Sequence, residues 1–206
     1  FPAGLDSIKD EAFRQLPKLE NVTFTEPSNV QHLGKAVFRA CSKLKEVTLP
    51  SQVTSLDMPF ADCGNLETIN VPNGSQLKIL RSNSFSSNKK LKHFNFIGTC
   101  QLEEIESDAF AYLPKLESFK FPKTVKTIKT NAFRGCMGMK TAEFPSDAEI
   151  KVIGQGAFAD CGLTNFTVPT NVEEIQREAF NKCTALTVVN ISEKTVKISP
   201  EAFKAC

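Results

Sequence analysis

The sequence predicts a solenoid, a single coiled domain that spans residues 1–206 in about eight repeats of 22–25 residues. One observation is that Phe recurs at intervals of 22 to 25 residues, and a fixed period of this length is typical of stacked repeats. Another is that nine of the 17 Phe share this column, while the chain has one Tyr and no Trp. The aromatic content therefore marks one core position. The column comprises Phe13, Phe38, Phe60, Phe85, Phe110, Phe133, Phe158, Phe180 and Phe203.

The stretch Val30–Pro50 shows the elements of one repeat. An aliphatic residue, Leu33, precedes the Phe by five positions, and a second apolar residue follows it by six. Alternating apolar positions, Val47 and Leu49 in this repeat, then predict a short strand. Pro50 ends that strand because it has no N–H to donate to a continuing ladder. Four other strands end in the same way, at Pro72, Pro122, Pro145 and Pro169.

Stacking follows because one repeat cannot bury its apolar side alone. The strands are expected to form a parallel sheet about 4.8 Å apart per repeat, on the concave face of the coil. The segments Glu11–Phe13 and Asp108–Phe110 are expected to form single helical turns on the convex side, with a polar residue as cap. Loops complete the convex side.

The full pattern, I-x-x-x-A-F-x-x-C-x-x-L-x-x-V-x-I-P-x-x-V-x-x-I, resembles the BspA-like leucine-rich repeat family, the variant also described from treponemal surface proteins. The match covers residues 5–206. The resemblance implies a leucine-rich repeat solenoid coiled as a right-handed curve. It also implies a surface-exposed or secreted protein of a host-associated bacterium or parasitic protist, used for adhesion. Departures are Leu16, Asn88 and Leu113 in the Cys position, and Ile97 and Ser192 in the Pro position.

Both ends of the chain interrupt the pattern. Phe1 and Pro2 match the strand-end pairs Phe121–Pro122 and Phe144–Pro145, and the chain stops at Cys206. We therefore expect a chain cut in mid-repeat at both ends, with any signal region outside it. No run of about 18 apolar residues is present, so the sequence predicts no direct insertion into a membrane.

Six of the seven Cys share the position three residues after the Phe. No C-x-x-C occurs and the spacing exceeds 20 residues, which does not suit a zinc site. Leu takes this position in two repeats, so we expect buried structural thiols. A disulfide between adjacent repeats, as at Cys161 and Cys183, is the alternative. Cys100 lies in a loop and is the one expected to be exposed.

Little in the sequence supports catalysis. The only His residues, His32 and His93, lie in different repeats, and the Gly154–Gly156 spacing is too short a motif to indicate a phosphate loop. We expect no enzyme activity, no metal and no cofactor. A net charge of +2 gives no general attraction to nucleic acid, and exposed aromatics for base stacking are missing. The chain is expected to be a monomer.

Binding is favoured because strand residues between buried positions point outwards. We expect a protein or glycan ligand on this concave face, and the alternative is that the Thr and Asn columns merely stabilise the sheet. The least stereotyped repeats give the candidate site residues His93, Asn95, Ser118, Lys120, Thr141 and Glu143, with Thr68 and Asn70 beside them.

Two charge patterns accompany this face. A column before the strands alternates in sign and is expected to fix the spacing of repeats; it comprises Glu20, Lys45, Glu67, Lys92, Glu117 and Lys140. A lysine-rich stretch suits either an acidic glycan or a solvated surface; it comprises Lys89, Lys90, Lys92, Lys115, Lys120, Lys123, Lys126 and Lys129.

The sequence thus predicts a non-catalytic, adhesin-like binding module at the cell surface or outside the cell. One alternative is an intracellular or periplasmic scaffold for protein interactions. The other is a recognition domain attached to an enzyme in a longer chain.

Overall fold

The computed structural model describes residues 1–195 and 197–206. In these residues the chain forms seventeen short strands and no helix, and every strand pairing is parallel. The strands alternate along the chain between two walls of the solenoid, which we call the short-strand sheet and the long-strand sheet. The apolar columns meet between the walls in one buried core.

The short-strand sheet contains the odd-numbered strands, each two residues long. They are β1 (Ser7–Ile8), β3 (His32–Leu33), β5 (Ser55–Leu56), β7 (Ile79–Leu80), β9 (Glu104–Ile105), β11 (Thr127–Ile128), β13 (Val152–Ile153), β15 (Glu174–Ile175) and β17 (Lys197–Ile198). Strands β5 to β17 form one seven-stranded ladder, in which the aliphatic column stacks in register, as in Ile105, Ile128 and Ile153. The sequence located this column but predicted only one sheet.

The long-strand sheet contains the even-numbered strands, which hold the alternating apolar positions. They are β2 (Asn21–Val22), β4 (Glu46–Thr48), β6 (Thr68–Val71), β8 (His93–Phe96), β10 (Ser118–Lys120), β12 (Thr141–Glu143), β14 (Asn165–Thr167) and β16 (Val188–Asn190). This is the sheet that the sequence predicted.

The segments around each Phe are not helical, so the expectation of helical turns is wrong. Residues two positions before and after the Phe have positive φ, for example Glu11 at 56° and Asp108 at 58°. An L-residue in the left-handed region interrupts a right-handed helix. The N–H groups bond to the next turn of the solenoid instead: Phe110 N donates to Ala132 O at 2.8 Å and Tyr112 N to Arg134 O at 2.7 Å. These bonds form a third ladder between turns.

The Phe column forms two stacks of rings inside the solenoid, one from Phe13 to Phe60 and one from Phe85 to Phe203. The ring of Phe133 lies 4.9 Å from that of Phe110 at an interplanar angle of 3°, and 5.4 Å from that of Phe158 at 9°. All three side chains are fully buried. The stack continues through Phe180 to Phe203. Each ring therefore contributes both buried apolar area and an aromatic contact to each neighbour.

The Cys position supplies a hydrogen-bond donor to this core. Cys136 Sγ donates to Phe110 O, and Cys161 Sγ to Phe133 O, each at 3.1 Å. All seven Cys are free thiols, and burial raises the pKa of Cys183 to about 12. The expectation that Cys100 is exposed is wrong, because a bridge between Ser75 and Cys100 holds its loop against the preceding turn. The exposed thiol is Cys206.

Candidate functional site

The outward side chains of the long-strand sheet form the candidate binding face. In β4 the pattern is exposed, buried, exposed for Glu46, Val47 and Thr48, and β14 repeats it. Alternation follows from the pleat of a strand, which directs successive side chains to opposite faces. The face is polar as a result, while its apolar side chains fill the core.

Part of this face is a hydrogen-bonded ladder of side chains. Asn70 Nδ2 donates to Glu46 Oε1 at 2.8 Å, and Asn95 Nδ2 donates to Asn70 Oδ1 at 3.0 Å. These contacts cross three strands of a continuously paired block, β4, β6 and β8. Asn70, one of the residues selected from the sequence, therefore contributes to the sheet itself, and its neighbour Thr68 lies on the same paired strand.

The long-strand sheet is divided into three paired blocks: β2 to β8, β10 with β12, and β14 with β16. At the first division, Glu117 N still donates to Lys92 O at 3.1 Å, just before the two strands begin. A cavity of about 170 Å³ lies there, lined by Phe94, Phe96 and four residues that the sequence selected: His93, Asn95, Ser118 and Lys120. The structure thus brings these four side chains together around one opening.

The second division lies between β12 and β14. Phe121 N donates to Glu143 O at 2.8 Å in the block before it, and Val168 N to Asn190 O at 2.9 Å in the block after it. Within residues 1–195 and 197–206, no such bond is made by Phe144 N, the equivalent donor. Two strand edges therefore face each other without main-chain pairing.

A cavity of about 650 Å³ fills this second division and opens on the candidate face; we call it the β12/β14 cavity. It is lined by Thr141, Ala142, Glu143, Phe144, Pro145, Ser146, Asn165, Thr167, Val168, Pro169 and Thr170. Thr141 and Glu143 were selected from the sequence. Asn165 and Thr167 on the opposite edge were recognised as outward residues but were not selected.

Ala142 is the sequence signal for this cavity. It stands in the inward strand column that holds Val47, Ile69, Phe119 or Phe166 in other repeats. The smaller side chain leaves part of that position unfilled, and Ala142 is itself partly exposed where the equivalent Phe119 is fully buried. The larger cavity therefore lies where the core column is thinnest.

Electrostatic contacts neutralise most of the lysine-rich stretch. Lys123 lies 3.4 Å from Asp147 and Lys126 lies 3.0 Å from Glu103. Lys92, Lys120 and Lys129 also form ion pairs, with Glu67, Glu143 and Glu104. Side chains paired in this way present little net positive potential. The geometry favours a solvated surface over a site for acidic glycans.

In the alternating charge column, the neighbouring residues Lys92 and Glu67 form a direct hydrogen bond. Lys92 Nζ donates to Glu67 Oε2 at 2.9 Å. This hydrogen bond lowers the pKa of the exposed Glu67 carboxyl and raises the pKa of Lys92. Lys45 and Glu117 act on this pair through space.

Chemical groups for catalysis are sparse in the described part of the chain. No cluster of three or more His, Cys, Asp or Glu side chains in residues 1–195 and 197–206 is arranged to hold a metal ion. His32 lies on β3 of one sheet and His93 on β8 of the other. The same residues include no helix with the length and hydropathy that crossing a bilayer requires.

Comparison with known proteins identifies a repeat family. The sequence profile of the BspA type leucine rich repeat region matches residues 6–137 and 103–206, with six copies. No curated protein gives a significant match.

The chain is similar to three solved structures, two of them with a TM-score above 0.5. The T. pallidum leucine rich repeat protein is 21% identical with a TM-score of 0.62, covering 94% of this chain and 77% of that one. The pneumococcal vaccine antigen PcpA is 24% identical with a TM-score of 0.51, covering 96% and 45%. A leucine-rich repeat protein from Bacteroides ovatus ATCC 8483 is 24% identical with a TM-score of 0.49, covering 100% and 63%. The chain thus spans less than two thirds of the last two proteins.

Proposed function

Because the chain belongs to the BspA type leucine-rich repeat family, we propose that it is a non-catalytic binding module whose long-strand face takes a protein or glycan ligand. The observation that carries this proposal is the division of the sheet. The two cavities lie on the outward face and contain six of the eight residues selected from the sequence. A rigid wall with polar openings can hold a ligand without rearranging its own backbone.

The place of action proposed for this module is the cell surface or the extracellular space, as an adhesin-like protein. The family resemblance supports this placement, and one protein of similar fold is a pneumococcal vaccine antigen. The module is proposed to act as a monomer.

A second candidate is an intracellular scaffold that uses the same face. The seven free thiols favour it, since proteins of oxidising compartments commonly pair their cysteines. Protease treatment of intact cells separates the two, because only a surface protein is digested while the cells remain closed.

The binding proposal is tested by screening the protein against extracellular-matrix proteins and a glycan array. The test variant combines His93→Ala, Asn95→Ala, Lys120→Ala and Glu143→Ala. The matched control combines His32→Ala, Gln31→Ala, Lys78→Ala and Glu173→Ala, four exposed residues at or beside the short strands.

We expect a ligand that is lost in the test variant and kept in the control, with both variants folded by circular dichroism. A ligand kept by the test variant and lost by the control contradicts the use of the long-strand face. The absence of any ligand contradicts the binding role itself.

A further inference from the structure

We propose that the β12/β14 cavity is a binding site for a neutral sugar, with room for about two rings. This inference rests on the binding role proposed above and names its ligand class and location. The cavity volume of about 650 Å³ lies within the usual range of roughly 300–1,000 Å³ for small-molecule sites. The smaller cavity, at about 170 Å³, falls below that range.

Main-chain groups give the cavity its first set of hydrogen-bonding partners. In a parallel strand, alternate residues direct their N–H and C=O to opposite neighbours. The C=O of Glu143 accepts from Phe121 on the β10 side, and the N–H of Val168 donates to Asn190 of β16. The adjacent residues, Phe144 and Thr167, therefore direct their main-chain groups into the division. Such groups need partners when water is displaced, and a ligand rich in hydroxyls supplies both donors and acceptors.

Side chains give the second set, and their chemistry matches a sugar. Thr141, Ser146 and Thr170 contribute hydroxyls, and Asn165 contributes an amide that donates and accepts. Phe144, Pro145, Val168 and Pro169 form an apolar wall beside them. A sugar ring likewise combines polar and apolar parts, with hydroxyls around its rim and C–H groups on its faces. The C–H faces pack against apolar and aromatic surface.

The charge of the cavity argues against an anionic ligand. Among the described residues that line the cavity, Glu143 alone is charged, and Lys120 lies 3.8 Å from it. A sulfated or carboxylated sugar would bring a second negative charge to this rim, and like charges brought together weaken binding.

The spacing of the turns argues against an added peptide strand. A strand inserted between β12 and β14 would need about 4.8 Å on each side of it. On the opposite wall, β11 and β13 of the same two turns are directly paired. Phe133 N also donates to Ala157 O at 2.8 Å. These bonds hold the other two sides of the two turns at a single strand spacing, so the turns can separate only on the long-strand side. A ring can enter the division from that open face, but a strand paired along its whole length has no room.

The test is a titration of the ¹⁵N-labelled protein with lactose and α-mannobiose, followed by amide chemical shifts. The cavity variant is Asn165→Ala with Thr167→Val. The matched control is Asn21→Ala with Thr23→Val, the same two residue types at the equivalent places around β2.

We expect shifts centred on the amides of Phe144 and Thr167, a Kd raised at least tenfold in the cavity variant, and an unchanged Kd in the control. Sialyllactose, which carries a carboxylate, should bind more weakly than lactose. Equal binding by the cavity variant, or shifts centred on His93 and Ser118, would overturn the assignment.

The absence of shifts at about 20 mM of either disaccharide, a concentration well above a millimolar Kd, would also overturn it. A protein ligand found in the screen above would still leave the binding role in place. Failure of the sugar site and failure of the binding role are therefore separate results.

Discussion

Asn88 occupies the position that holds Cys in six other turns, and replacing it should stabilise the protein. Its side chain is fully buried, and neither amide atom has a hydrogen-bond partner among residues 1–195 and 197–206. In the preceding turn a thiol occupies this position, and Cys63 Sγ donates to Phe38 O at 3.1 Å. The equivalent acceptor for Asn88 is Phe60 O, which already accepts from Cys63 N but receives no side-chain donor from Asn88.

The magnitude follows from the unmade bonds. A buried polar group without a partner costs about 1–3 kcal/mol. Asn88→Cys removes the amide and supplies a thiol donor, so we expect the free energy of unfolding to rise by about 1–3 kcal/mol. Urea denaturation followed by circular dichroism measures this difference through the transition midpoint.

Asn88→Leu provides the matched control, because Leu113 fills the same position in the next turn. It removes the amide without adding a donor, and we expect a smaller gain than with Cys. If Asn88→Cys folds but is no more stable than the parent protein, the account of this position as an S–H donor to a Phe carbonyl is refuted.

Four further outcomes are expected. Phe133→Ala should lower the free energy of unfolding by about 3–5 kcal/mol. Phe203→Ala should lower it by about half as much, because Phe203 stacks on Phe180 alone among the described residues and is only half-buried. Equal losses in urea denaturation would contradict the stacked column. Lys92→Glu should lower Tm more than Lys92→Gln, since Glu67 would then face a like charge, and equal Tm values would argue against the column's role in spacing. The hydrogen bond from Lys92 lowers the pKa of Glu67. The stabilisation that this bond gives the folded protein is therefore complete above the ordinary Glu pKa and is lost as the pH falls through the lowered value. Lys92→Gln should flatten the fall in Tm over that acidic range. Cys206 should be the first thiol to react with a thiol reagent at pH 8, and a Cys206→Ala variant that keeps the fast phase would show that another thiol is accessible.

The apolar columns of the solenoid were predictable because each recurs at a fixed distance from the Phe. The conformation around the Phe was not. Glu11 and Asp108 have the residue types of a helix start, and their positive φ is imposed by bonding to the next turn. Two equivalent positions do hold Gly, at Gly135 and Gly156, and these were the available signal for left-handed backbone.

The candidate face was predictable as a set of outward residues, because strand alternation fixes which side chains leave the core. The irregular repeats also led to His93 and Lys120, which share the smaller cavity. The far wall of the larger cavity was missed. Two irregular positions mark this place in the sequence: Ala142, and Leu163, which follows its Phe by five positions where other repeats have six. Whether two neighbouring strands pair, however, depends on the path of the backbone between turns, which the columns do not encode.

Amide hydrogen exchange at Phe144 tests the central claim, that the long-strand sheet is open between β12 and β14, most directly. Phe121 N and Val168 N donate to neighbouring strands, whereas Phe144 N has no main-chain partner in the described residues. We predict fast exchange at Phe144 beside strong protection at Phe121 and Val168, measured by NMR on one sample. Equal protection at all three amides would show a continuous sheet and contradict both the opening and the sugar site built on it.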